Sequence, residues 1–276
     1  MTSNTTYLYC FGLDGLPETV LNDFITLRSI YPKEAVRDLI NVSANFEIHG
    51  LLISTVGYLT FEIEVRDDNT RSRAGRVWNA QWELVHLSIL VGAPVFAAFT
   101  GDVSGIVGSK DLKLHNTYVL PHLFRPARAI TAETLALYLA GRDNFTEMLN
   151  HPAFSFAASV LSIHGFNPNQ RIKMTSVWTA IEGLLGFDHE LRFRISLALS
   201  LILEPIKQER VAMFKKIAKL YDTRSKCVHG AVEPRKLADD LDASITILRR
   251  LMRWFMDRGS LISTAEWDTA FASSEL

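Results

Sequence analysis

The chain has 276 residues, with 29 basic and 30 acidic side chains and a formal net charge of −1. Because 48% of the residues are hydrophobic and only 21% are charged, low-complexity disorder is excluded and a globular protein with a sizeable core is indicated. A charge so close to zero also excludes a protein that coats nucleic acid or an anionic membrane through its overall field.

Cysteine usage and the first residues indicate where the protein acts. Cys10 and Cys227 are too few and too far apart in sequence for a disulfide framework or a cysteine-based zinc site, which favours a reducing compartment. The first residues lack the basic and apolar segments of a signal peptide. The most apolar stretch, 84–99, is interrupted by polar residues and is shorter than the roughly 20 residues of a membrane span. We expect a cytoplasmic protein without membrane contact.

The first half of the chain predicts a mixed α/β domain over residues 1–128. Short runs rich in β-branched and aromatic residues predict strands at 6–12, 50–65, 94–100 and 116–120. Apolar residues at three- and four-residue spacing predict helices at 17–29 and 76–91, and the composition of 66–76 predicts a solvated loop.

Two patterns in this half resemble functional motifs only at first sight. Trp78, Trp82 and His86 recur every four residues, which predicts a buried helix face rather than a ligand shelf. Residues 101–110 combine glycines with a lysine but lack the order of a phosphate-binding loop, so they predict a surface turn.

The second half predicts an all-α bundle over residues 131–260, followed by a C-terminal tail at 261–276. Thr131 suits a helix start, and the best linker candidate, 124–128, precedes it. Further helical segments are predicted at 152–164, 170–186, 189–203, 206–229 and 234–258. Short connectors between them, including 230–233, favour antiparallel neighbours, so the fold class is an α+β domain followed by a helical bundle.

The most informative string is LYDTRSKCVHG at 220–230, which places Arg224 and His229 near a helix end that Gly230 is well suited to terminate. Five residues along an α-helix leave the two side chains about 140° apart. One helix therefore does not present both on a narrow face. Their meeting requires the length of Arg224, a distorted last turn or a second chain.

This string, together with VWTAIEGLL at 177–185, resembles the HEPN superfamily of helical-bundle proteins, and most closely its Apea-like branch. HEPN ribonucleases are marked by an arginine, four to six intervening residues and a histidine, with a polar residue commonly following the arginine. Arg224, Ser225 and His229 match that pattern with four intervening residues. The resemblance covers 131–260.

The resemblance implies a homodimer in which the motifs of two chains meet in a cleft and cut RNA without a metal or other cofactor. His229 and its symmetry mate would divide the roles of base and acid, and Arg224 would hold the scissile phosphate. Lys226 is a second phosphate contact, and Ser225 positions backbone or substrate. The family also suggests Glu182 as an acidic partner of the site.

Each of these residues has an alternative, purely structural role. Arg224 pairs with Glu182 or Asp222 inside the bundle in that interpretation, and His229 caps its helix. Glu182 is then a satisfied structural carboxylate, and a solvated surface position is the default for Asp222.

Local charge bears on RNA binding. Residues 206–230 contain seven basic and two acidic side chains, with Lys215, Lys216 and Lys219 as candidate RNA contacts. The alternative is an ordinary solvated helix face, since no aromatic side chains are visibly interleaved with the lysines for base stacking.

The leading hypothesis is therefore a bacterial HEPN endoribonuclease in anti-phage defence or a toxin system, with tRNA among its candidate substrates. Its first domain would sense a protein or small-ligand trigger, bind a partner or select the substrate. The alternative is a non-catalytic HEPN adaptor that serves assembly. A third hypothesis is a nuclease that stays inactive until a signal arrives through the first domain.

Overall fold

The structure, a computed structural model of the chain, describes residues 4–32, 46–114, 127–164, 167–230 and 237–273. Its contacts divide the chain into two compact units, 1–139 and 140–276. The division lies within the helix Ala132–Met148, later in the chain than the expected boundary. This difference arises because Leu135 and Tyr138, from the first part of that helix, pack with the core of the first unit.

An antiparallel sheet of six strands forms the centre of the first unit, in the order β3-β4-β5-β1-β6-β7. Two further short strands, β2 and β8, pair in parallel with each other. The strands are β1 Thr5–Phe11, β2 Leu13–Asp14, β3 Thr19–Asn22, β4 Ile25–Ser29, β5 Phe61–Arg66, β6 Phe96–Gly101, β7 Lys113–Leu114 and β8 Arg128–Ala129.

Two helices, α1 Phe46–Thr55 and α2 Thr70–Val91, belong to the same unit. Alternation along β5 explains how the sheet is buried: Phe61, Ile63 and Val65 join the hydrophobic core, while Glu62 and Glu64 occupy the intervening positions. Both glutamates are nevertheless buried, and each forms an ion pair with Arg28 of the neighbouring strand.

The structure confirms the predicted strands at 6–12 and 94–100 and the helix at 76–91, whereas the predicted helix at 17–29 is wrong. That segment forms β3 and β4. The Asn22 side chain accepts hydrogen bonds from the backbone N–H groups of Phe24 and Ile25, and this makes a turn between the two strands. Leu27 then pairs with Ile63 of β5. Pairing with β5 overrides a local pattern that suited a helix.

The predicted strand at 50–65 is correct only at its end. Residues 50–58 belong to α1 and to the short 3₁₀ helix Val56–Tyr58, and only Phe61–Arg66 alternates as a strand does. The predicted loop at 66–76 is also mostly helix, because the Asn69 side chain caps α2 by accepting the N–H groups of Arg71 and Ser72.

The structure also describes the two patterns of the first half that resemble functional motifs, the four-residue repeat from Trp78 to His86 and the residues 101–110. His86 is buried, but Trp78 is 65% exposed, so the prediction of one buried face is wrong at that position. The turn at 101–110 is held to β5, since Glu62 of that strand accepts hydrogen bonds from the Ser104 hydroxyl and the Gly105 N–H. The predicted strand at 116–120 and most of the predicted linker lie outside the described residues.

The second unit is helical. Predicted and observed segments agree to within a few residues, and the predicted connector at 230–233 lies largely outside the described part. The helices are α3 Ala132–Met148, shared with the first unit, α4 Pro152–Ile163, α5 Gln170–Leu185, α6 Leu191–Leu203, α7 Arg210–Val228, α8 Ala238–Arg258 and α9 Thr264–Ser273. Helix α5 packs against α4, α7 and α8, and α6 packs along α7.

The predicted C-terminal tail at 261–276 contains a helix, α9, which is anchored by a large side chain. Trp267 is 1% exposed, and its indole N–H donates a hydrogen bond to the Leu185 carbonyl at 3.1 Å. Its ring also stacks on Phe271 and contacts Phe187. These contacts make α9 part of the helical unit.

We expect Trp267→Ala to lower the free energy of unfolding by about 3–5 kcal/mol, because a fully buried indole and its hydrogen bond are lost. Chemical denaturation followed by circular dichroism measures the change. Thr269→Ala, an exposed position on the same helix, is the control, with an expected effect below about 0.5 kcal/mol. Equal effects of the two substitutions would show that α9 adds nothing to stability.

Candidate functional site

Most of the predicted site residues lie on α7, and the amphipathic character of this helix decides which way each one faces. Ile217, Leu220 and Cys227 are buried against the rest of the helical unit. The lysines of the helix lie elsewhere on its circumference and are exposed. Sequence periodicity alone therefore separates an inner from an outer side of α7.

A row of polar side chains follows the outer side of α7. We call it the basic strip: Lys215, Lys219, Asp222, Lys226 and His229. These residues follow one another at alternating spacings of four and three, which places all of them within an arc of about 80° on a regular α-helix. Lys216 is also exposed but lies about 100° from Lys215, outside this arc.

His229 occupies the end of the strip. Its backbone N–H still bonds to the Ser225 carbonyl at 3.2 Å, so the helical path continues up to this residue. Its imidazole is exposed. The backbone N–H of His229 thus caps the end of α7, and the Ser225 carbonyl is its acceptor.

Arg224 projects from the opposite side of the helix, about 180° from Lys215. Its Nη2 atom donates a hydrogen bond to Glu182 Oε2 of α5 at 3.1 Å. The two side chains are 21% and 17% exposed, and the guanidinium carbon lies 5.7 Å from the centre of the Tyr221 ring. Glu182 and Asp222 are the two structural partners considered for Arg224, and the structure shows Glu182 bound to it.

Burial raises the pKa of Glu182, although the positive charge of Arg224 and the nearby Tyr221 hydroxyl act in the opposite direction. Within the described part of the chain, Glu182 Oε1 and Arg224 Nε are both buried without a hydrogen-bond partner. Each member of the ion pair therefore keeps one buried polar atom that makes no hydrogen bond with the described residues.

Asp222 has a different partner. Arg192 of α6 binds it with two hydrogen bonds, from Nε at 2.7 Å and from Nη2 at 2.9 Å. These bonds hold the pKa of Asp222 below its usual value. Asp222 lies at the surface, with 46% of its side chain exposed, and its negative charge is neutralised by Arg192, a residue that sequence analysis did not select.

The structure thus brings together some of the predicted residues and separates others. Arg224 and Glu182 meet within the unit, and Lys226 joins His229 on the basic strip. No hydrogen bond links Arg224 to His229, both of which belong to the described residues, and positions five residues apart on a regular α-helix point about 140° apart. One chain alone does not form the cleft that the motif implies.

Comparisons of the chain with protein-family models, with curated proteins and with solved structures find no match.

Within the described residues, the structure contains no cluster of three or more histidine, cysteine, aspartate or glutamate side chains able to hold a metal ion. Both cysteines are free and buried. Of the helices that are described, none is both long enough and apolar enough to cross a membrane.

The raised pKa of Glu182 predicts how stability depends on pH. A carboxyl group whose pKa is higher in the folded state destabilises that state as pH rises through the raised value. Glutamine has the same shape and does not titrate. As pH rises above about 4, the usual pKa of a glutamate, we therefore expect the free energy of unfolding of Glu182→Gln to increase relative to that of the wild type.

Asp222→Asn is the matched control, because the pKa of Asp222 is lowered by Arg192 and its ionised form stabilises the fold. Its stability relative to the wild type is expected to decrease as pH rises from about 2 to about 5. Urea denaturation at a series of pH values measures both differences. The same sign for the two variants would contradict the assignment of burial as the dominant influence on Glu182.

Proposed function

We propose that the protein is an endoribonuclease of HEPN type that cuts RNA without a metal ion, with Arg224 and His229 as catalytic residues. One observation carries the proposal: His229 is exposed at the end of a strip that also presents Lys215, Lys219 and Lys226 to solvent. An exposed imidazole beside a row of lysines suits acid–base chemistry on a polyanion.

The proposed reaction uses the ribose 2′-hydroxyl of the substrate as its nucleophile. A neutral imidazole takes the proton of this hydroxyl as the 2′-oxygen forms a bond to phosphorus. A protonated imidazole gives its proton to the 5′-oxygen as the bond from phosphorus to that oxygen breaks. The products carry a 2′,3′-cyclic phosphate and a 5′-hydroxyl. Arg224 stabilises the charge that accumulates on the phosphoryl oxygens in the transition state.

A homodimer supplies the second imidazole that the proposed reaction needs. Because two imidazoles divide the roles of base and acid, the cleft needs a second His229, which is available if the end of a second α7 faces the first. The residues of the basic strip then hold the RNA backbone on either side of the scissile phosphate, and Lys226 adds a second phosphate contact next to it.

The resemblance of residues 131–260 to HEPN proteins supports the remaining parts of the proposal. The protein acts in the bacterial cytoplasm in anti-phage defence or as a toxin, and tRNA is one candidate substrate. The first unit senses a trigger or a partner, and in the regulated form of the proposal the nuclease stays inactive until that signal arrives.

A second candidate function is a non-catalytic HEPN adaptor that serves assembly. The observation that favours it is the ion pair between Arg224 and Glu182, because a guanidinium already bound to a half-buried carboxylate can have a purely structural role. This function predicts a stable complex and no cleavage of RNA.

Cleavage of total RNA in the presence of EDTA tests the proposed reaction. We expect wild-type protein to cut RNA, and His229→Ala and Arg224→Ala to cut it at least about 100-fold more slowly, since each removes a transition-state interaction. His151→Ala is the matched control, because His151 is another exposed histidine of the helical unit. Cleavage at the wild-type rate by His229→Ala would remove this residue from the mechanism.

Subunit mixing tests whether the site needs two chains. When wild-type protein is incubated with an excess of His229→Ala, heterodimers retain one histidine only. We expect the activity per wild-type chain to fall by about 10-fold or more. The same mixture assayed before the subunits exchange controls for competition for RNA, and its activity should be unchanged. Activity that stays constant after exchange would show that each chain works alone.

A further inference from the structure

An exposed aromatic ring lies beside the basic strip, on the neighbouring helix. Phe193 of α6 is 56% exposed although it is a large apolar side chain. It packs edge to face against Phe214 of α7, with ring centres 5.7 Å apart and an angle of 65° between the rings. Phe214 directly precedes Lys215, the first residue of the strip.

The residue next to Phe193 also reaches the strip. Arg192 holds Asp222 through two hydrogen bonds, so α6 follows the edge of the strip from Phe214 to Asp222. Arg192 is itself about half exposed. This edge therefore combines a ring that is more than half exposed with a guanidinium, and it flanks the helix that carries the lysines.

We propose that Phe193 and the basic strip together bind unpaired nucleotides of RNA, with one base stacked on the Phe193 ring and the backbone phosphates held by Lys215 and Lys219. The proposal rests on the proposed ribonuclease function and adds to it Phe193 as the residue on which an unpaired base stacks. Proteins that bind single strands combine a positive track for the backbone with aromatic side chains on which bases stack.

The chemistry of this surface favours RNA over a protein partner. The buried centres of protein interfaces are depleted in lysine, whereas Phe193 contacts the helix that carries the exposed lysines, and Arg192 neutralises the aspartate of that helix. It also favours unpaired over paired RNA, because bases inside a duplex are already stacked and present no free face to a ring. The rise from Lys215 to Lys219 is about 6 Å along the helix, so neighbouring phosphates of an extended strand can be contacted in turn.

Binding is measured in the inactive His229→Ala background, so that the RNA stays intact. The probes are a short fluorescent oligoribonucleotide and the same strand annealed to its complement, and the readout is fluorescence anisotropy. Adding Phe193→Leu removes the ring but keeps an apolar contact with Phe214. Phe156→Leu is the matched control, since Phe156 is 45% exposed on α4.

We expect Phe193→Leu to weaken binding of the single strand about 10-fold, with no change in the salt dependence of binding and little effect on the duplex. Lys219→Gln should instead reduce the slope of log affinity against log salt by about one. Phe156→Leu should leave both unchanged.

Equal binding of the single strand by Phe193→Leu and its parent would overturn the inference, as would the absence of any binding. Loss of the dimer by Phe193→Leu in sedimentation, with unchanged RNA affinity, would overturn it in favour of a contact between subunits. Failure of the ribonuclease proposal is distinguishable, because strong Phe193-dependent binding without cleavage by the wild-type protein refutes catalysis alone.

Discussion

The packing of α7 against α5 determines which side chains of the motif reach solvent. Tyr221 sits edge to face on the buried Trp178, with ring centres 5.4 Å apart, and Arg224 is bound to Glu182 one turn further along α5. Once these contacts set the rotation of α7, the geometry of the helix places His229 on the outer side. The inward arginine, the outward histidine and the lysines beside it all follow from this one interface, which makes the interface a requirement of any function of the motif.

The helical unit was largely predictable from its sequence because its signals are local. The Asn169 side chain caps α5 by accepting the N–H groups of Arg171 and Ile172, and Gly186 ends the same helix in a left-handed conformation. The segment 17–29 in the first unit has one local signal, the turn residue Asn22, which does not decide between the elements on either side of it. Its apolar residues suit either a helix or a pair of strands, and only the pairing of Leu27 with Ile63 decides between them.

The sequence predicts which lysines of α7 are exposed, but not which partners the other polar residues of the helix have. Periodicity along α7 already implies that Arg224 and His229 diverge, and the structure agrees. The local charge count treats all seven basic side chains of 206–230 alike, whereas the fold turns Arg224 inward and adds Arg192 from a segment 30 residues earlier than Asp222. Phe193 could not be found either, because its position beside the strip depends on how α6 packs on α7.

The position of Arg224 affects the order of events in the proposed reaction. In that proposal the lysines of the basic strip provide the initial attraction for RNA, because the Arg224 guanidinium is already paired with Glu182. To grip the scissile phosphate, Arg224 either uses nitrogen atoms that Glu182 leaves free or exchanges the carboxylate for the phosphate, which is a charge-assisted partner of the same sign. Burial favours the protonated form of Glu182, and this lowers the cost of the exchange because the vacated carboxyl group can take up a proton and remain neutral. In the proposed reaction, release of Arg224 is thereby coupled to substrate binding, because a phosphate replaces Glu182 as the partner of the guanidinium.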